Sequence, residues 1–353
     1  MIENTSLIEK IKNILVLMPE KHMGNLVVSL PAIMALKEFF KEKIFFLVID
    51  RAYKDILEPL IGRENLLLFP RKQLRENSFA KKMRIFFQFL HQLRSTSPDV
   101  AIDLEGRHAS SMMAFLSGAP LRIGRSTAER PYLYNLKVDL STGKHKVYSY
   151  IEIAAAIGVQ SETVSFRLQA SDTHRTSLKS VLFNEGITTD KPIISIHPGA
   201  GKIYKQWASD GFAKVSDWLS SKGFQVVFVG SSGDLNKINE ISSFLKHQSY
   251  NLGGMLSIGE LMALFEMSSL YIGNDSGPMH LAAAMGIPVI ALFGPGINSR
   301  WRPLTEKAVV LRGTDRCQKC KGKDCQYDFK CISTLSFTTV KKAIEKIIFQ
   351  KIE

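Results

Sequence analysis

Cysteine is absent from the first 316 residues of this 353-residue chain, so no disulfide framework holds most of it together. The opening residues M-I-E-N-T-S-L-I-E-K-I-K-N mix charges with apolar residues and lack a long apolar core, so a secretory signal is not expected. Long hydrophobic runs are missing too. The longest uncharged stretch, from Pro278 up to Arg300, is interrupted by Gly286, Pro288, Gly294, Pro295 and Gly296, which favours a short helix and a short strand over a membrane span. There is no short tandem repeat and no low-complexity tract, and 45% hydrophobic residues exclude a disordered chain. Acidic residues are in deficit, 33 against 46 Lys+Arg. A net charge of +13 points to a polyanionic partner: nucleic acid, an anionic membrane face or a phosphorylated ligand.

What is present alternates short apolar runs with helical patterns, the mark of a parallel sheet covered on both faces. I-L-V-L-M, I-F-F-L-V-I-D, L-L-L-F and V-A-I-D-L read as strands of a first domain. P-I-I-S-I-H-P, F-Q-V-V-F-V-G, S-L-Y-I-G-N-D and P-V-I-A-L-F-G read as strands of a second. The polar segment from Leu168 to Lys191 reads as the linker. The expected division is therefore residues 1–170 and 171–335, followed by a closing helical segment, 336–353. Two open α/β domains of this kind bind a ligand in the crevice between them. Leu26 to Phe40 is the first crossover helix. A second, from Phe79 to Arg94, places Phe79, Met83, Phe86, Leu90 and Leu93 on one stripe that packs inward. Its basic face of Lys81, Lys82, Arg84 and Arg94, with Arg71, Lys72 and Arg75 upstream, is either a solvated surface or one that docks on anionic lipid.

Two loops of the second domain have the chemistry of a diphosphate site. In Y-I-G-N-D-S-G-P-M-H, a strand ends at Asp275 and Ser276-Gly277-Pro278 opens a helix whose first N–H groups lack partners. His280 can add a donor, or it can be a core histidine bonded to a carbonyl. In H-P-G-A-G-K-I-Y-K-Q-W, Gly199, Ala200 and Gly201 let a ligand approach the backbone, and Lys202 or Lys205 can neutralise a phosphate. The P-loop spacing is absent. In the first domain, K-H-M-G-N-L-V-V-S-L-P follows a strand and places Asn25 at a helix start, a good cap that cannot take a proton.

Taken together, H-P-G-A-G with K-x-W, D-S-G-x-x-H, A-A-x-G-x-P-x-x-A-L-F-G-P, M-G-N-L-V-V-S-L-P-A and D-V-A-I-D-L-E-G-R-H-A-S-S resemble glycosyltransferase family 9, which includes the heptosyltransferases of lipopolysaccharide core synthesis. The resemblance implies a GT-B fold, an α/β architecture of two Rossmann-like domains facing each other across a cleft. It also implies an inverting transfer from a nucleotide sugar, ADP-heptose ranked first, to a glycolipid or glycan acceptor, with no cofactor for catalysis. Ser276, Gly277, His280 and Lys205 would bind the diphosphate beside Gly199, Ala200 and Gly201. Asp275 would orient the loop, Asp234 would face the ribose, and Gly254-Met255 would line the base. The expected location is cytoplasmic, peripheral on the cytoplasmic face of the inner membrane, whose anionic surface is the further partner.

This chain departs from the family pattern at one point: the usual Gly-Asp, with aspartate as base, is Gly24-Asn25. Either Glu20, His22 or Glu105 removes the proton instead, or the protein binds nucleotide sugar without efficient transfer. Cys317, Cys320, Cys325 and Cys331 have the C-x-x-C pair of a thiolate metal site and suggest structural zinc or iron; two disulfides or free thiols are the alternatives. A nucleic-acid module would leave the phosphate loops and both α/β domains unexplained, so nucleic acid is not expected as a partner.

Overall fold

Buried parallel strands read as near-continuous apolar runs because helices cover both faces of their sheet. The computed structural model bears this out in two compact units, residues 1–166 and 167–353. It describes residues 9–160, 164, 166–294, 298–313 and 324–349.

The first unit holds a six-stranded, all-parallel sheet in the order β3-β2-β1-β4-β5-β6. Its strands are β1 (Asn13–Met18), β2 (Ile44–Asp50), β3 (Leu66–Phe69), β4 (Val100–Asp103), β5 (Leu121–Arg125) and β6 (Leu136–Val138). The helices are α1 (Met23–Phe39), α2 (Lys54–Ile61), α3 (Arg71–Glu76), α4 (Phe79–Ser95), α5 (His108–Leu116) and α6 (Lys146–Ala155). α1 packs against α6 and is buried almost continuously from Leu26 to Ile33, which accounts for its lack of a polar face. Pro31 lies inside α1.

The second unit repeats the plan with the order β12-β11-β10-β7-β8-β9, again all parallel. The strands are β7 (Ile193–His197), β8 (Gln225–Phe228), β9 (Tyr250–Asn251), β10 (Ser268–Asn274), β11 (Val289–Leu292) and β12 (Ala308–Leu311). Its helices are α7 (Asp172–Asn184), α8 (Ser209–Ser221), α9 (Leu235–Ser242), α10 (Ile258–Met267), α11 (Gly277–Ala284), α12 (Asn298–Trp301), α13 (Lys330–Ser333) and α14 (Phe337–Ile348). In each unit the chain starts at a central strand, runs to one edge, then returns to the other side of its starting strand. The switch point lies between β1 and β4 in the first unit and between β7 and β10 in the second, and the crevice at the carboxyl ends of such strands is where open α/β sheets hold ligands.

Four sequence expectations change. The polar linker contains α7, because Ser171 accepts from the His174 N–H as an N-cap while Leu178 and Leu182, four apart, reach the core. α7 is tied to α10 by Arg175 to Glu266 at 2.8 Å. The closing segment is a helix, α14, as expected, but it is part of the second unit and not apart from it, since Val340, Ala343 and Ile344 belong to that unit's core. α1 begins three residues early, with His22 as N-cap, so Asn25 lies inside the first turn and does not cap it. The apolar stripe of α4 divides: Leu93 is buried, Phe86 and Leu90 are half-buried, and Phe79 and Met83 stay exposed, while the helix buries Phe89, which lies off that stripe.

Candidate functional site

The loops after β1 and β4 bring two carboxylates together at the first unit's switch point. After β1, Pro19 and Glu20 turn toward α1. Glu20 is buried, and its Oε1 accepts the His22 N–H at 3.0 Å while its Oε2 accepts the Asn25 side-chain amide at 2.7 Å. Asn25 is thus the donor that holds Glu20 in place. The loop is pinned from outside by Tyr53, whose hydroxyl donates to the Lys21 carbonyl at 2.5 Å, and by Arg71, which donates to the Pro19 carbonyl and to Asp50 at 2.7 Å. Arg71 therefore belongs to the loop's frame and not to the basic surface assigned to it from the sequence. His22 lies at the rim; partial burial of its ring lowers its pKa below the ordinary histidine value, outweighing the charge of Glu20, which acts to raise it.

After β4, Asp103 organises the turn that presents Glu105. Its Oδ1 accepts the N–H groups of Glu105 and Gly106, both at 2.9 Å, and its Oδ2 accepts the Tyr134 hydroxyl at 2.6 Å. Gly106 has φ +70°, a left-handed conformation that favours glycine, and a Cβ there would meet the Arg125 side chain at 2.4 Å. Glu105 is only 7% exposed, and its Oε2 is buried with no hydrogen-bond partner among the described residues. Its other oxygen lies 3.9 Å from Arg107. Burial, then the charges of Glu20 and Asp103, push its pKa up to about 8.

In the second unit, the loops after β7, β8 and β10 meet in the same way. His197 ends β7; its Nδ1 lies 3.1 Å from the Ser276 hydroxyl and its Nε2 3.7 Å from Asp234. Asp234 also accepts the Ser231 N–H and hydroxyl at 2.8 and 2.7 Å. Burial alone would raise the Asp234 pKa, but the bonds from His197 and Ser231 outweigh it and bring it down to about 2. Gly199 passes so close that a Cβ would lie 2.0 Å from Asp234 Oδ1. Alanine cannot take this place without displacing that carboxylate.

Because the Ser276 hydroxyl faces His197, no side chain caps α11, and Gly277 and Pro278 open it with no acidic residue in the first turn. That end keeps the positive potential suited to an anion. Lys205, at the end of a short 3-10 turn, bonds Asp275 at 2.6 Å just ahead of it. His280 is buried in the helix's first turns with its ring 6.4 Å from that of Trp301. The Gly254-Met255 turn rests on the Ser231 loop through a Gly254 N–H to Gly230 carbonyl bond of 2.8 Å, and Met255 is exposed. Ala200 and Gly201 continue the β7 loop toward the Lys205 turn.

Sequence reasoning passed over Asn274, which is fully buried and clamps both loops by accepting the Trp207 N–H at 3.1 Å and donating to the Pro198 carbonyl at 2.7 Å. The signal available was a polar residue ending an otherwise apolar strand. The Tyr134–Asp103 bond was likewise invisible, because its partners are 31 residues apart.

Cys317 and Cys320 lie outside the described residues. No disulfide joins Cys325, half-exposed, to Cys331, buried, and no group of three or more metal-binding side chains occurs among the described residues. Between these cysteines Phe329 stacks on Tyr204, neighbour of Lys205, with ring centroids 5.1 Å apart.

The model of glycosyltransferase family 9 (heptosyltransferase) matches residues 86–330. The chain is 24% identical over 334 residues to lipopolysaccharide heptosyltransferase 3 of Escherichia coli, covering 92% of this chain and 96% of that protein. It is 30% identical over 238 residues to lipopolysaccharide heptosyltransferase 2 of E. coli strain K12, covering 63% and 67%. Among solved structures, E. coli ADP-heptose lps heptosyltransferase II superposes with TM-score 0.79 at 23% identity, over 97% of this chain and all of that one. E. coli heptosyltransferase WaaC with ADP gives 0.74 at 18%, over 95% and 99%. The iron-containing dodecameric glycosyltransferase TibC of enterotoxigenic E. coli gives 0.59 at 16%, over 95% and 78%. The two parallel α/β sheets are thus those of the GT-B heptosyltransferase structures, and the chain belongs to glycosyltransferase family 9.

Proposed function

We propose that this glycosyltransferase moves heptose from ADP-heptose to a lipopolysaccharide-core or related glycan acceptor, by a single inverting displacement in which Glu105 takes the acceptor proton. The observation that carries the reading is Glu105 itself: a buried carboxyl with an unpartnered oxygen and a pKa near the working pH. Glu20 cannot serve as readily, since both its oxygens are committed to His22 and Asn25. Its part is to hold charge beside Glu105 and keep that group basic. Asn25 therefore replaces an acid without leaving the site empty.

The displacement proceeds as follows. The acceptor O–H bond breaks and its proton goes to Glu105 Oε2 as the oxygen bonds the anomeric carbon. The bond from that carbon to the diphosphate breaks on the opposite face, and the electron pair leaves with ADP. The departing diphosphate gathers negative charge, which the uncapped start of α11 and the ammonium of Lys205 meet without rearranging. No metal ion takes part in this step. Gly199, Ala200 and Gly201 admit the phosphates to the backbone, His280 adds a donor from α11, Asp234 faces the ribose and Met255 the base. Similarity to a structure solved with ADP supports the donor assignment. Similarity to lipopolysaccharide heptosyltransferases supports work on the cytoplasmic side of the inner membrane.

The cysteine segment holds one structural zinc or iron ion through thiolates. Its donor chemistry suits either metal, and the similar TibC contains iron. The protein's own contribution is the Phe329–Tyr204 stack, by which the segment supports the Lys205 turn.

Calorimetry with ADP, paired with a transfer assay, tests the donor site. Lys205→Ala removes a charge-assisted contact and strands the Asp275 carboxylate, so ADP affinity should fall by about 1.5–3 kcal/mol. Unchanged affinity would remove the assignment. Tight donor binding by the wild type with no transfer to any glycolipid acceptor would favour a silent nucleotide-sugar-binding protein instead.

A further inference from the structure

α4 carries more apolar surface than its own unit uses. Phe89 packs edge-on against Phe69 at 5.4 Å, and with Leu93 it anchors the helix to the sheet. Phe79, Met83 and Phe87 are spaced by four, and a helix turns about 100° per residue, so this ridge drifts about 40° per step away from the packed face. These three side chains stay 79%, 37% and 57% exposed.

The ridge is framed by cations. From residue 71 to 98 the chain has seven Lys or Arg and a single acidic residue, Glu76. Arg75 pairs with Glu76 at 2.8 Å, and Arg71 is held by Asp50. Among the described residues, Lys72, Lys81, Lys82 and Arg84 pair with no carboxylate. A second copy of this chain would bring like charge against like charge. An anionic bilayer offers both parts of the match, an acyl boundary for the rings and phosphates for the cations.

We propose that α3 and α4 lie in the headgroup layer of an anionic phospholipid bilayer, with Phe79, Met83 and Phe87 inserted and Lys72, Lys81, Lys82 and Arg84 on lipid phosphates. This uses no residue of the donor or acceptor machinery and stands whether or not the transfer chemistry does.

The test is co-sedimentation of the full chain with vesicles of phosphatidylcholine alone, or of phosphatidylcholine mixed with phosphatidylglycerol. The protein should bind the mixed vesicles, release them as salt is raised, and leave the neutral ones in solution. The triple variant Lys81→Gln/Lys82→Gln/Arg84→Gln should lose about fivefold in partitioning for each charge removed. Phe79→Ser/Phe87→Ser should detach while keeping its circular dichroism and ADP affinity, and Phe87→Trp should shift its emission to the blue on the mixed vesicles only. Equal binding to both vesicle types, binding to neither, or full binding by the Phe79→Ser/Phe87→Ser protein would overturn the proposal. So would a vesicle-free dimer that Phe79→Ser abolishes, since a second copy would then be what covers the ridge.

Discussion

At the residue scale, Asn25 shows how one donor can decide a site's chemistry. Its amide lies 2.7 Å from Glu20 Oε2, so an aspartate there would set carboxylate against carboxylate. Such a pair cannot ionise fully, and the two would share a proton. Asn25→Asp should therefore leave turnover unchanged or lower, and it should destabilise the protein as pH rises through neutrality. A turnover assay with thermal melts at pH 6 and pH 8 checks both. A gain of about tenfold or more would mean that the wild-type site lacks its base.

At the element scale, each site is an assembly of strand ends and the turns that follow them. Gly199 illustrates the tolerance: with Asp234 Oδ1 2.0 Å from its would-be Cβ, Gly199→Ala must push the carboxylate or the loop aside. Overpacking of this kind typically costs about 1–3 kcal/mol. Donor affinity should fall with it, and calorimetry beside a denaturant titration reads the two losses; a fully stable variant with wild-type affinity would mean that the loop is not held as described. The cysteine segment is coupled to this same region. Phe329→Ala should weaken ADP binding although Phe329 lies one stacked ring away from the Lys205 turn. Metal analysis of protein purified without chelators should find one ion per chain, and four reactive thiols with no metal would end the metal assignment.

At the scale of the whole molecule, the two units share one strand order, and most of that plan was legible in the chain. β1, β2, β4, β7, β8, β10 and β11 announce themselves because central strands are covered on both faces and must be apolar throughout. β6, β9 and β12 do not, because they lie at sheet edges where residues are only partly buried or exposed; edge strand β3 was still legible as L-L-L-F, and central β5 was not, because L-R-I-G-R carries two arginines. The phosphate-type loops were legible for a similar local reason: glycine spacing and a helix start are contiguous in sequence. The carboxylates of Glu20 and Glu105 were legible as candidates but not as a pair. Their coupling depends on β1 and β4 being neighbours, a fact of the fold that no local pattern contains. The wrong inward stripe on α4 has the converse origin, since periodicity gives a helix its faces but not the extent of the sheet beneath them.

If Glu105 is the base for heptose transfer, the pH dependence of Glu105→Gln must show it. The folded pKa of about 8 stands above the ordinary glutamate value of 4.5, so this group's contribution to stability is complete below pH 4.5 and is lost as pH rises to about 8. Glu105→Gln should therefore gain on wild type by on the order of 5 kcal/mol over that window. In a transfer assay with ADP-heptose, wild-type kcat/KM should climb with pH and level off above about 8. The variant should bind ADP normally yet turn over about a hundred- to ten-thousand-fold more slowly, with the climb abolished. A Glu105→Gln protein that keeps wild-type turnover and the same pH profile would rule out Glu105 as the base.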